Sequence, residues 1–451
     1  MRQTVAVTVP EVQYAKSGAV SIAYQVSGAG SVDIVLVTGF VSNILYAWEQ
    51  PDVVRFLDRI GEFARLIRFD RRGCGLSDRP RQVPTLETRM DDVRAVMAAT
   101  ESRRAVVVGT FEAAPMTALF AATYPEKVSA LAMYNGYAKA VQTPDYPWGR
   151  TPDEWADELA MVEENWASGA YIDRVLERSF PSKKGDEEFR RWFVNQMRYG
   201  ASPSAAMTIQ RMAMDVDVRE VLPAIRVPTL ILHQHSMGEQ ARFMEERIPR
   251  ATRVELPGDD NSLWLAPGAA DELEGFIQEV SGVKEPDTVL ATVLFTDIVG
   301  STERALALGD ERWAELREQH HAVVRRELDH FSGREVDTAG DGFFATFDGP
   351  ARGIRCAIAV RDAVAGLGLE VRAGLHTGEC ELRGQKPGGI AVNIGARIVS
   401  EAAPGEVLVS STVRDLVAGS GITFEDRGER ELKGIADAWR LFAVHETATS
   451  E

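Results

Sequence analysis

At 451 residues the chain is longer than one hydrophobic core ordinarily supports, so two domains are expected. A formal net charge of −17, from 50 Lys and Arg against 67 Asp and Glu, excludes the clustered basic surface that nucleic acid requires. Cys74, Cys356 and Cys380 stand single and far apart, which excludes a disulfide framework or zinc site and fits a reducing, cytoplasmic setting.

Residues 1–10 lack the basic start and apolar core of a signal peptide. Short apolar runs follow at 34–38, 66–70, 105–109 and 229–233, separated by helical stretches, which predicts a parallel sheet covered on both faces. The most apolar long stretch, 105–125, is interrupted by Glu112 and Pro115 and reads as strand, sharp turn and helix, so no membrane span is expected. Between about 148 and 215 the sequence is rich in Trp, Glu and Ala at helical spacing, which predicts a helical lid over the sheet.

The turn Asp70-Arg71-Arg72-Gly73-Cys74-Gly75 and the strand-to-helix corner around Gly109-Thr110-Phe111-Glu112-Ala113 resemble the α/β-hydrolase fold, with residues 1–280 as that domain. The resemblance implies a nucleophile at position 111, an acid near 237 and a base near 261. Phe111, Met237 and Asn261 stand there instead, and none can do triad chemistry. His233, His235, Asp259 and Asp260 remain nearby as candidates for rescue. The domain therefore reads as a degenerate hydrolase kept for binding, regulation or dimer geometry. Phe40, Phe111, Met116 and Trp264 would surround the former site. The favoured expectation is that they pack it shut, because replacing Ser by Phe removes space; a hydrophobic ligand is the alternative.

Residues 281–288 mix small, charged and Pro residues and read as a linker. A strand at 289–295 then delivers Asp297 into the turn Ile298-Val299-Gly300-Ser301-Thr302. His320 and His321 follow a helical pattern with Trp313, Leu316, Val323 and Val324, so one should face solvent and neither need bind metal. Asp341 lies in a glycine turn before the strand 343–347. Two carboxylates at strand ends suit Mg²⁺, which takes hard oxygen ligands and keeps sites for phosphates. Residues 370–378, carrying Arg372 and His376, read as a strand entering a glycine turn that His376 would support. After Gly388 and Gly389, Asn393 and Arg397 are four apart, on one helix face. Lys433 adds a cation near the end, and the tail 446–451 is expected to be disordered.

This set, in this order, resembles the catalytic domain of the class III nucleotidyl cyclases over 289–445, an α+β domain with a ferredoxin-like βαββαβ core. Together the two resemblances match mycobacterial hydrolase–cyclase fusions. The likeness implies that Asp297, Asp341 and the Ile298 carbonyl bind two Mg²⁺ or Mn²⁺ ions. It implies that Arg372 and Lys433 contact phosphates and that the amides of Val299, Gly300, Ser301 and Thr302 cradle them. Asn393 would orient the ribose and Arg397 would stabilise the α-phosphoryl charge. The two groups would come from opposite subunits of a homodimer.

One departure concerns the base. ATP-using members usually carry a Lys four residues before the second metal Asp and an Asp seven before the Asn; here Asp337 and Lys386 exchange those charges. An acid near N1 and a donor near the exocyclic atom suit guanine. A simple Asp337–Lys386 salt bridge is the blander expectation. ATP is the first-choice substrate, GTP the alternative. An esterase with a passenger cyclase and a non-catalytic binding protein complete the readings.

Overall fold

The computed structural model describes residues 9–80, 84–280, 288–383, 386–436 and 438–445, so the expected linker and tail lie outside the described residues but for Thr288. The chain divides into two compact units, Met1–Pro286 and Asp287–Glu451.

The first unit is built on a sheet of β1 (Gln13–Ser17), β2 (Val20–Ser27), β3 (Val32–Val37), β4 (Ala64–Phe69), β5 (Ala105–Thr110), β6 (Val128–Tyr134), β7 (Thr229–His233) and β8 (Ala251–Glu255). Its order is β1-β2-β4-β3-β5-β6-β7-β8, antiparallel at β1-β2-β4 and parallel thereafter. Every residue of β5 and β7 is buried, as strands covered on both faces require. Helices α1 (Pro51–Gly61), α2 (Leu86–Ala99) and α3 (Ala114–Thr123) follow the first strands, and α3 is buried at all its positions. The lid consists of α4 (Pro152–Asn165), α5 (Gly169–Ser179), α6 (Glu187–Gly200) and α7 (Pro203–Met214). Each starts behind a side chain that accepts a first-turn amide: Thr151, Ser168, Asp186 and Ser202. Helices α8 (Gly238–Glu245) and α9 (Ala269–Val280) complete the unit.

The second unit runs β9 (Thr288–Ile298), α10 (Ser301–Leu308), α11 (Asp310–His330), β10 (Arg334–Ala339), β11 (Gly342–Phe347), α12 (Pro350–Ala365) and β12 (Val371–Arg383). It continues with β13 (Lys386–Gly388), α13 (Ile390–Glu401), β14 (Val407–Ser410), α14 (Ser411–Leu416), β15 (Thr423–Glu431) and β16 (Ala438–His445). The order β10-β11-β9-β12 is the ferredoxin-like arrangement of a βαββαβ core, extended by β14, β16 and β15. Strand alternation splits the core between two faces. Leu294, Phe343, Ala345 and Phe347 pack with Val324 of α11 and Ile354 of α12. Val293 packs with Ala391 of α13, whose Ile394 and Ile398 meet Leu408 and Leu441.

Two glycines let α13 lie this close. A Cβ on Gly395 would stand 2.5 Å from Val293 Cγ2, and one on Gly374 would stand 2.2 Å from the Val399 nitrogen. One expectation is corrected here. Gly378 makes no turn: β12 runs straight through it to Arg383, paired with β9 along the way. His376 consequently lies mid-strand, its Nδ1 2.9 Å from Ser410 Oγ on β14 and its ring edge-on to Trp439.

Candidate active site

Asp297 is the penultimate residue of β9, and the antiparallel register sets it opposite Arg372 of β12. The guanidinium donates to Asp297 Oδ2 from Nη2 at 2.7 Å and from Nε at 3.1 Å. Arg372 is thus held on the carboxylate, with both side chains about one-third exposed. On the other side of β9, Phe343 pairs with Thr296, which brings the β10–β11 turn and Asp341 up to the end of β9 that carries Asp297. Asp341 Oδ2 is buried and has no hydrogen-bond partner among the described residues. A carboxylate oxygen in that condition is costly unless something else engages it.

The turn is backed by α11. His321 Nε2 lies 3.2 Å from the Gly340 carbonyl, and His320 is fully buried, edge-on to Phe343. Burial, with His321 beside it, pushes the His320 imidazole down to about 4 against the opposing pull of Asp341, so it is neutral at pH 7.

After Ile298 the chain turns at Gly300, in left-handed conformation, to start α10. The amides of Ser301 and Thr302 open the first turn, where a helix leaves N–H groups without intrahelical acceptors. Val299 differs from expectation. Its amide donates to the Glu370 carbonyl at 2.8 Å, because the β9–β12 ladder extends one residue past the strand, so it is not free for phosphate.

Asn393 and Arg397 are both exposed on α13, while Ala391, Ile394, Gly395 and Ile398 face the sheet. Lys433 is exposed in the β15–β16 turn beside Leu432, which is buried against Ile394 and Ile398. The packing of α13 therefore leaves Asn393 and Arg397 on the side opposite its sheet-facing residues. Asp337 lies on edge strand β10, level with Phe344, Phe295 and Gly374, and accepts from the Thr338 amide at 3.0 Å. Lys386 pairs with Arg383 at the far tip of β12, and its side chain lies outside the described atoms.

In the first unit Phe111, Met237 and Asn261 line one cavity of about 420 Å³. Phe111 has φ 51°, the left-handed conformation of a sharp strand-to-helix corner. The expectation of a site packed shut is wrong. Phe111 turns edge-on to Tyr134 and leaves the space open, with Phe40 and Trp264 on its walls; Met116 is buried on α3 and does not line it. Met237 stands at the acid position and an amide, Asn261, at the base position. Asn135 Nδ2 donates to Asn261 Oδ1 at 2.6 Å, and the Gln234 backbone N–H donates to Asn135 Oδ1 at 2.9 Å. Asn135 and Gln234 escaped notice in the sequence; the only signal was an Asn-Gly pair closing an apolar run.

Three of the four rescue candidates are committed elsewhere, and the exposed Asp259 does not line the cavity. Asp260 caps Ser182, His233 is buried with Nδ1 2.9 Å from the Gln234 carbonyl, and His235 meets Glu255 at 3.2 Å on the surface. No histidine lines the cavity among the described residues.

Residues 34–264 match the model of the alpha/beta hydrolase fold, and residues 283–446 match that of the adenylate and guanylate cyclase catalytic domain. The chain belongs to the α/β-hydrolase fold family, with a class III cyclase domain fused behind it. The hydrolase-fold protein YisY of Bacillus subtilis is 33% identical over 171 residues, 38% of this chain and 62% of YisY. A Rhizobium meliloti protein provisionally named adenylate cyclase 3 is 29% identical over 157 residues, 32% of this chain and 26% of that protein. Each match spans less than two thirds of the relative's own length. Among solved structures, a bromoperoxidase from Bacillus anthracis superposes with a TM-score of 0.51 at 20% identity, over 59% of this hydrolase–cyclase chain and 100% of that one, a likeness of fold.

Proposed function

We propose that the cyclase unit converts ATP to 3′,5′-cyclic AMP and pyrophosphate, in a homodimer whose sites draw on both chains. One observation carries this reading: Asp341 holds a buried oxygen, unpartnered among the described residues, near the Asp297 strand end, while Asn393 and Arg397 stand exposed on the side of α13 opposite its sheet-facing residues. In this reading each chain supplies both halves of a site, and a second copy joins them. Leu306 and Ile390, 82% and 58% exposed, are large apolar side chains of the kind a second copy would cover.

The donor set suits divalent cations. No group of three or more His, Cys, Asp or Glu side chains gathers among the described residues, so a cation here would rest on two carboxylates and the Ile298 carbonyl and keep room for phosphate oxygens. When bound, Mg²⁺ or Mn²⁺ neutralises phosphate charge and favours the 3′-alkoxide. Asn393 orients the ribose so that its 3′-oxygen lies in line with the bond between the α-phosphorus and the bridging oxygen. That bond breaks as the new P–O bond forms; pyrophosphate departs and the 3′-hydroxyl proton passes to solvent. Arg397 supports the charge that develops on the α-phosphoryl oxygens. Lys433 and the amides of Gly300, Ser301 and Thr302 hold the outer phosphates. Arg372 joins them once it exchanges Asp297 for phosphate.

A second reading, GTP as substrate, has its own support in the acid at Asp337 and the base at Lys386. Purified full-length protein, offered ATP and GTP separately with Mn²⁺ or Mg²⁺, tests both. Cyclic AMP as main product supports the proposal, cyclic GMP transfers it to guanine, and no product from either nucleotide refutes a cyclase.

A further inference from the structure

The cavity of the hydrolase-fold unit has lost its chemistry and kept its volume. About 420 Å³ falls within the range of small-molecule sites, roughly 300–1,000 Å³. Its walls are mainly apolar and rich in aromatic side chains, with Phe40, Phe111, Trp155, Trp192, Phe193 and Trp264 among them, which suits a chiefly apolar, ring-bearing occupant.

Charge narrows the class. Six charged residues line the cavity, and each is already engaged by the protein. Glu112 is paired with Arg71 at 2.9 Å, Lys139 with Asp217 at 2.6 Å, and Glu158 with Arg178 at 3.0 Å and Arg150 at 3.7 Å. Arg68 donates to Gln25 Oε1 at 3.2 Å and to the Ile44 carbonyl at 3.4 Å. A charged ligand would give up its own hydration to meet charges that already have protein partners, which is unfavourable.

Two polar atoms on the walls are not engaged. Gln196 Oε1 on lid helix α6 and Thr38 Oγ1 at the end of β3 are both buried without a hydrogen-bond partner among the described residues. The Gln196 oxygen can only accept, so it calls for a donor on whatever fills the space. Phe111, Met237 and Asn261 offer the occupant neither nucleophile nor base.

We propose that the hydrolase-fold unit binds an uncharged, ring-bearing small molecule carrying at least one O–H or N–H donor, and releases it unchanged. Fluorescence titration of the full-length chain tests this with N-phenyl-1-naphthylamine, which is neutral and has one N–H. The comparison probe is 8-anilinonaphthalene-1-sulfonate, the same ring system with a fixed negative charge. The neutral probe should saturate at one per chain and bind at least tenfold more tightly than the sulfonate. Gln196→Leu should weaken it by about fivefold, the value of one neutral hydrogen bond. Val175→Trp, which places an indole in the cavity from α5, should abolish binding while the far-ultraviolet circular dichroism stays that of the parent. No saturable binding of the neutral probe to the parent overturns the proposal. So does a sulfonate that binds as tightly, an unchanged affinity in Gln196→Leu, or undiminished binding in folded Val175→Trp.

Discussion

Asp341 combines a buried carboxylate oxygen with no partner for it among the described residues, in a turn that the β9–β11 register brings to the end of β9 carrying Asp297. Leaving such a group unpaired costs about 1–3 kcal/mol in folding, so its retention points to use rather than stability. Asp341→Asn should therefore lower kcat by on the order of 100-fold or more. The urea midpoint should stay equal or rise. Full activity in the variant, or a lowered midpoint, contradicts this assignment. His376 makes the opposite case, a polar group serving structure. Burial pushes its imidazole down to about 4, below an ordinary value of about 6.5 for the unfolded chain. The unfolded chain thus binds the proton more readily, and stability is fully present above pH 6.5 and lost as pH falls toward 4. At pH 5 the loss is on the order of 2 kcal/mol. Urea unfolding of the parent at pH 7.5 and 5.0 should show a larger drop than His376→Gln; equal drops would assign the acid sensitivity elsewhere.

Elements with a clean period were legible in the sequence. Those set by long-range contact were not. The runs at 34–38, 66–70, 105–109 and 229–233 correspond to β3, β4, β5 and β7, because a strand buried on both faces must be apolar throughout. Edge strands β1 and β8 carry polar residues facing water and gave no such signal. Gly378 misled for a different reason. Its lack of a side chain serves the approach of α13, since a Cβ there would stand 2.9 Å from Ala391 Cβ, and no local pattern separates that need from a turn. The same seating makes Gly395 sensitive. Gly395→Ala should cost on the order of 1–3 kcal/mol by overpacking against Val293. Because α13 carries Asn393 and Arg397, kcat should fall with little change in the sheet's circular dichroism. A variant as stable and active as the parent would show that α13 has slack that the distances deny.

At the scale of the whole chain, length and a linker-like segment pointed to two domains, and the structure has two compact units. The candidate cyclase residues could be found by motif and order, yet their partners could not. That Arg372 rests on Asp297, that Val299 spends its amide on Glu370, and that Phe111 leaves a cavity all depend on register and rotamer. Among the described residues no helix is long and apolar enough to cross a membrane, and the three cysteines are buried and unpaired.

The central claim is that one chain holds two half-sites which only a second copy joins, and subunit complementation tests it directly. Asp297→Ala and Arg397→Ala, each inactive alone, are mixed in equal amounts under conditions that exchange subunits, and cyclic nucleotide formation is measured. The shared-site account predicts recovery to about a quarter of parent activity, since half of the dimers are mixed and each of those keeps one intact site. A mixture as inactive as its components, with subunit exchange verified, would contradict it.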